Sequence, residues 1–168
     1  MSEPAPIPTT EPTREEKREM RRRMKSAARL FAVQALYQME ATDRTVDQVR
    51  AEFETHRFGE VFEDYEMAEA DVDLFRAILE RALDRQAFID QATDRALVER
   101  WSLGRIDPTL RGLFRAAGAE MLGDTPPKVV IVEFVKVAEA FFPEGREPKL
   151  VNGVLDHMAK EIRPEAFG

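Results

Sequence analysis

Between Pro12 and Pro108 the chain contains no proline, and glycine occurs there only at positions 59 and 104. Proline removes a backbone donor and clashes with the preceding turn, and glycine costs conformational entropy. A stretch this free of both is expected to be largely helical. The apolar spacing agrees: Ala28, Phe31, Ala32, Ala35 and Met39 form one stripe at helical period. Leu30, Val33 and Tyr37 lie to one side of it, so this first helix is apolar over much of its circumference, the pattern of a central helix packed on several sides. Thr45 is expected to cap a second helix running to about His56, and an acidic loop (EVFEDYEMAEAD, 60–71) follows. Val72, Phe75, Leu79 and Ala82 mark a third helix, and Phe88, Ile89, Ala92 and Ala96 a fourth, separate from the third or continuous with it.

The second half is punctuated by prolines. Asp107 before Pro108 reads as an N-cap with proline at the first helical position. Leu110, Leu113, Phe114, Ala117 and Met121 follow as a core stripe. Asp124 or Thr125 before Pro126-Pro127 opens the next helix, with Val130, Phe134, Val137, Ala138 and Phe141 inward. The run VVIV at 129–132 also suits a buried strand, but the helical pattern continues well beyond it, so length favours helix. Pro148 is expected to start the last helix, with Val151, Val154, Leu155, Met158 and Ile162 facing in. Strand alternation is absent. The expected fold is all-α, about seven helices in two small packed bundles, without internal repeats. Residues 1–20 read as a flexible tail, rich in proline and then in charge. Residues 21–165 read as the helical domain, divided at about 85/86. Gly112, Gly118 and Gly153 fall inside predicted helices, where each costs roughly 1 kcal/mol relative to alanine. Close helix packing is the first explanation, and a backbone bared for a ligand the second.

The chain lacks cysteine, which excludes disulfides, thiolate metal sites and cysteine nucleophiles. His56 and His157 are the only histidines, about a hundred residues apart, and neither sits at metal-ligand spacing with other donors. The acidic stretch at 60–73 lacks the alternating order of a calcium loop. Phosphate-binding glycine loops, nucleophile elbows and zinc-protease signatures are all missing. These observations predict a protein without a metal, a cofactor or a catalytic site. No apolar run approaches the roughly 18 residues that a membrane span needs, and the first residues carry no secretory signal. A cytoplasmic location is expected.

Charge distribution supplies the positive clue. Residues 14–29 hold Arg14, Lys17, Arg18, Arg21, Arg22, Arg23, Lys25 and Arg29 against Glu15, Glu16 and Glu19. That segment carries +5 in a chain of net charge −7, leaving −12 for the remainder. A basic arm on an acidic body suits nucleic acid held at one place and repelled elsewhere. If the first helix extends back through the arm, Arg18, Arg22, Lys25 and Arg29 share one stripe, at i, i+4, i+7 and i+11. Arginine forks pair with phosphate, and several together release counterions. A solvated helix end would look the same from sequence alone.

Four segments taken together carry a family resemblance: ARLFAVQALYQME (28–40), WSLGRIDPTLRGLFRAAGAEML (101–122), PPKVVIVEFVKVAEAFF (126–142) and KLVNGVLDHMA (149–159). In this order and spacing they resemble the bacterial transcription antitermination factor NusB family, over about residues 22–163. The resemblance implies two small helical bundles and a regulatory, non-enzymatic role in the transcription elongation complex. It implies binding of boxA-type RNA together with the ribosomal protein NusE, promoting read-through by RNA polymerase, notably in ribosomal RNA operons. It puts the arginine-rich motif on Arg21, Arg22, Arg23, Lys25 and Arg29. It adds Lys149 as a phosphate contact and Asn152 as an RNA contact or a cap of its own helix. Tyr37 and Glu120 are assigned to the NusE-facing surface, with Tyr37 as core filler the alternative. Some relatives self-associate, so a homodimer is a further possibility that the resemblance raises.

The chain departs from the family pattern in places. Ser26 and Ala27 stand where basic residues are usual, Leu150 replaces a phenylalanine, Val132 an asparagine and Glu139 a lysine. Arg146–Leu150 (REPKL) also differs from the usual segment. These changes bear on RNA affinity and leave the fold expectation intact. Two rival readings stand beside the adaptor. The related helical domain of some ribosomal RNA cytosine methyltransferases requires catalytic cysteines and a glycine-rich cofactor domain, neither of which these 168 residues contain. A helical protein-interaction module whose basic arm meets an acidic protein remains the alternative.

Overall fold

The computed structural model describes residues 3–4, 11–58, 61–62, 65–66, 70–97 and 103–167. Most of the proline-rich tail, much of the acidic segment and Trp101 lie outside the described residues. Seven α-helices are present among those described: α1 (Arg14–Ala41), α2 (Val46–Glu52), α3 (Val72–Asp84), α4 (Gln86–Ala96), α5 (Pro108–Met121), α6 (Pro127–Phe141) and α7 (Glu147–Ile162). The all-α expectation holds. One departure is a minimal antiparallel pairing of Val61–Phe62 (β1) with Tyr65–Glu66 (β2), inside the segment expected to be loop.

Local chemistry accounts for most boundaries. Thr45 and Gln48 form a reciprocal capping box, each side chain accepting from the other's backbone N–H. A single π-helical turn, Phe53–Arg57, carries α2 on to about the expected end. Asp71 caps α3 by accepting from the Leu74 N–H at 3.0 Å. Asp107 caps α5 by accepting from the Thr109 N–H at 2.7 Å, with Pro108 in the first turn. The start of α6 differs from expectation. Pro126 is the N-cap residue and makes no side-chain capping bond, so neither Asp124 nor Thr125 caps this helix. Proline at the first position removes a donor that would otherwise need a partner. Residues 129–132 are helical. The third and fourth helices are separate because Arg85 leaves the helical region, at φ −114° and ψ 22°.

α1 begins at Arg14, upstream of the 20/21 boundary between tail and domain expected from sequence. Thr13 accepts from the Glu16 N–H at 3.1 Å, and Glu15 and Glu16 place negative charge at the positive end of the helix dipole. The charged segment therefore has its own helix start, and residues 14–20 are helix where flexible tail was expected.

α1 and α5 run antiparallel through the centre, since Arg29 of α1 meets Glu120 while Glu40 meets Arg111. α3 packs on both of them, α6 and α7 pack together against α5, and α4 joins α5 to α7. Buried apolar residues from all seven helices form one cluster, so the two halves expected from sequence share a core. Phe31, Phe53, Phe58 and Phe75 fill the end near α2, with ring centroids 5.1–6.0 Å apart. Gly118 lets α4 approach: a Cβ there would sit 2.5 Å from Ile89 Cγ2. Gly153 is different, with nothing within 4 Å of where a Cβ would sit, so helix packing does not explain it.

Candidate nucleic-acid interface

Residues 14–23 form nearly three turns of exposed helix, roughly 15 Å long, before the chain meets the body at Met24. Arg14, Lys17, Arg18, Arg21, Arg22 and Arg23 are all exposed along it, and Lys25 is exposed just beyond it. Glu19 contacts both Arg22 and Arg23 at 3.6 Å, but all three side chains are more than half exposed. Such solvated pairs are weak and leave their cations open to exchange for phosphate. A projecting rod with cations on several faces is suited to a flexible polyanion, because each guanidinium supplies a fork of donors.

Arg29 departs from this picture. Its residue is only 4% exposed, and Nε and Nη2 donate to Oε1 and Oε2 of Glu120 at 2.7 and 2.8 Å. Nη1 lies 3.6 Å from Glu133 of α6. Glu120 is itself 1% exposed. Arg29, expected to contact RNA, and Glu120, expected to face a protein partner, are instead buried against each other. The two form a bidentate ion pair inside the core, where a lone charge would be prohibitively costly. Glu133 also accepts from the Ser26 hydroxyl at 3.2 Å, and the Met24 carbonyl accepts from the Asp71 N–H at 2.9 Å. The arm thus leaves the body through a collar of polar contacts to α5, α6 and the start of α3.

The remaining expected site residues lie on two other surfaces. Lys149 and Asn152 are both exposed on α7. Asn152 sits inside the helix, whose N-cap residue is Arg146, so it does not cap α7. Gly153 beside it leaves the helix surface bare. α6 packs against both α1 and α7, and so stands between these residues and the arm. Its outer face carries Val129 and Val132, 43% and 54% exposed, with the exposed cations Lys128 and Lys136.

Tyr37 is 43% exposed on α1, which removes core filler as its role. One turn further, Glu40 accepts from Arg111 and Arg115 of α5, and Arg115 also donates to both carboxylate oxygens of Asp90 at 3.0 Å. Arg111 reaches the Leu103 and Ile106 carbonyls at 3.1 Å as well, tying the loop before α5 to this cluster. The hydrogen bonds from Arg111 hold the Glu40 carboxyl below its ordinary value, against the opposing effect of burial. Burial likewise works against the Arg115 cation, but Asp90 and Glu40 more than offset it, raising its pKa. Sequence reading missed this network and the role of Glu133. Their partners lie up to 107 residues apart, and helical charge spacing gives no sign of them.

Among the described residues no cluster of three or more His, Asp or Glu side chains is placed to hold a metal ion. No described helix is long and apolar enough to cross a membrane.

Known proteins share both the sequence and the fold. The NusB family model matches residues 26–160. The transcription antitermination protein NusB of Maricaulis maris is 46% identical over 145 residues, covering 85% of this chain and 90% of that protein. The protein of the same name from Allorhizobium ampelinum is 45% identical, covering 84% and 89%. The solved structure of T. maritima NusB superposes with a TM-score of 0.66 at 30% identity, covering 88% of this chain and 96% of the other. A chain from the crystal structure of a plectonemic RNA supercoil gives a TM-score of 0.65 at 21% identity, a likeness of fold alone. Extensive identity over nearly the full helical domain, on the same fold, makes this chain a member of the NusB family.

Proposed function

We propose that the protein is an RNA-binding adaptor in transcription antitermination. It holds boxA-type single-stranded RNA together with the ribosomal protein NusE and promotes read-through by RNA polymerase, notably in ribosomal RNA operons. The observation that carries this reading is the projecting helical arm of exposed cations on a chain of net charge −7. The arm attracts the RNA backbone, while the acidic body disfavours other docking modes. Arg21, Arg22, Arg23 and Lys25 serve as phosphate contacts. Lys149 adds a second anchor on α7, where Asn152 hydrogen-bonds RNA beside the bare backbone of Gly153. Phosphate contacts position the strand, and sequence is read by pockets that accept unstacked bases. The relatives' name supports the antitermination role. No step in this function needs a cofactor or a catalytic residue.

The direct test mixes the protein with boxA-type RNA, with and without NusE, and follows complex formation by native gel and analytical ultracentrifugation. A ternary complex tighter than either binary one is expected. If none forms at low salt while NusE alone still binds, the chain is a protein-interaction module and the RNA reading fails.

A further inference from the structure

We infer that Arg29, Glu120 and Glu133 form a socket that sets the direction of the basic arm, with Arg29 acting as a positioning residue that does not touch RNA. The consequence for affinity rests on the RNA-binding reading above; the mechanical part does not.

The socket lies where α1 leaves the body. Arg29 lies among the buried residues Ala27, Ala28, Leu30, Phe31 and Ala32 of α1, whose apolar packing is non-directional. Directional bonds supply an orientation that this packing alone does not. The Arg29 guanidinium is held by both oxygens of Glu120 from α5 and approached by Glu133 from α6, so three helices are indexed at one point. A buried ion pair of this kind adds little net stability over a well-packed apolar pair, and in some proteins its benefit is a unique geometry.

The helical phase makes that geometry consequential. Arg22 and Arg18 are seven and eleven residues before Arg29. At 3.6 residues per turn both fall within about 20° of its direction around the helix axis. The azimuth fixed by the socket is therefore the azimuth of the cation stripe. Arg18 lies roughly 16 Å along the axis from Arg29, so a tilt of about 10° at the exit moves it by about 3 Å, the length of a hydrogen bond. Ser26 bonding to Glu133 and the Asp71 N–H bonding to the Met24 carbonyl brace the same turn.

The absence of cysteine allows spin labels to be placed at will. Labels at Glu15→Cys on the arm and Glu139→Cys on α6 report arm direction by pulsed electron resonance, on exposed sites outside the socket. The parent should give one narrow distance distribution. The double variant Arg29→Met/Glu120→Leu replaces the ion pair by an apolar pair and should keep the melting temperature close to that of the parent. Its distance distribution should broaden, and its affinity for boxA-type RNA with NusE should fall on the order of tenfold. Glu120→Gln, which preserves shape and one acceptor, is the second variant should the first not fold, with a smaller broadening expected.

An unchanged distribution in the variants overturns the inference. So does an affinity loss in Arg29→Lys with the distribution left narrow, because that pattern means direct contact between Arg29 and RNA. If the variants broaden but the parent binds no RNA, the socket stands and the RNA reading falls.

Discussion

Gly112 of α5 lies directly against the backbone of Val33 in α1, where a Cβ on the glycine would come within 3.0 Å of the valine carbonyl oxygen. The Tyr37 nitrogen would be only 3.5 Å away. Both neighbours are main-chain atoms of the central helix and have no rotamer to give. Gly112→Ala should therefore destabilise the fold by about 1–2 kcal/mol, since the cost of overpacking exceeds the gain in helix propensity. Gly153→Ala, in open space on α7, should instead stabilise by up to about 1 kcal/mol. Urea denaturation of the two variants beside the parent decides the matter, and opposite signs are expected.

The Glu40 carboxylate predicts an acid-side effect. Its hydrogen bonds from Arg111, and the charges of Arg111 and Arg115, lower its folded pKa below the ordinary 4.5. A group depressed on folding stabilises the protein above its unfolded pKa and loses that contribution as pH falls through the folded value. Glu40→Gln should accordingly cost about 1 kcal/mol near neutral pH, a modest figure for a partly solvated pair. The difference from the parent should vanish once the medium is acid enough to protonate Glu40. Thermal melts over an acid-to-neutral series measure it; a gap that persists in acid would assign the loss to packing.

Tyr37 gives a prediction about the protein partner. An exposed aromatic ring beside the ordered Glu40–Arg111–Arg115 cluster has the character of an interface anchor. Tyr37→Ala should weaken NusE binding by roughly tenfold or more while leaving RNA binding by the free protein nearly unchanged. Calorimetry with NusE and anisotropy with RNA separate the two effects.

The features legible in sequence were those set by neighbours along the chain. Thr45, Asp107 and Pro108 announced two helix starts, because capping is a bond across two or three residues. The apolar stripes of α1, α5 and α7 were readable because core faces repeat at helical period. The exposed cations at Arg21, Arg22, Arg23 and Lys25 lie on the helical extension that the spacing suggested.

At Arg29 the local pattern and the tertiary environment part ways. It continues the cation stripe in sequence, yet the body begins at Ala27, so the last member of the stripe points inward. Its carboxylate partner is 91 residues away, and only the packing of α5 on α1 brings it there. The same packing hides Glu120, which reads in sequence as one more charge among many. Gly153 shows the converse: it shares the signature of Gly112, a glycine inside a helix, but meets nothing. Tertiary neighbours, which no local pattern encodes, decide these cases.

The exposed arm is proposed to hold RNA by its phosphates. The most direct measurement is the affinity of boxA-type RNA for the protein with NusE, by fluorescence anisotropy across a salt series. About five phosphate contacts to a single strand predict a slope of log affinity against log salt of roughly −3.5. The charge reversal Arg22→Glu/Lys25→Glu should flatten that slope and weaken RNA binding strongly, with NusE binding left nearly intact. A salt-independent affinity, or an equal loss of RNA and NusE binding in the reversal, would contradict the account.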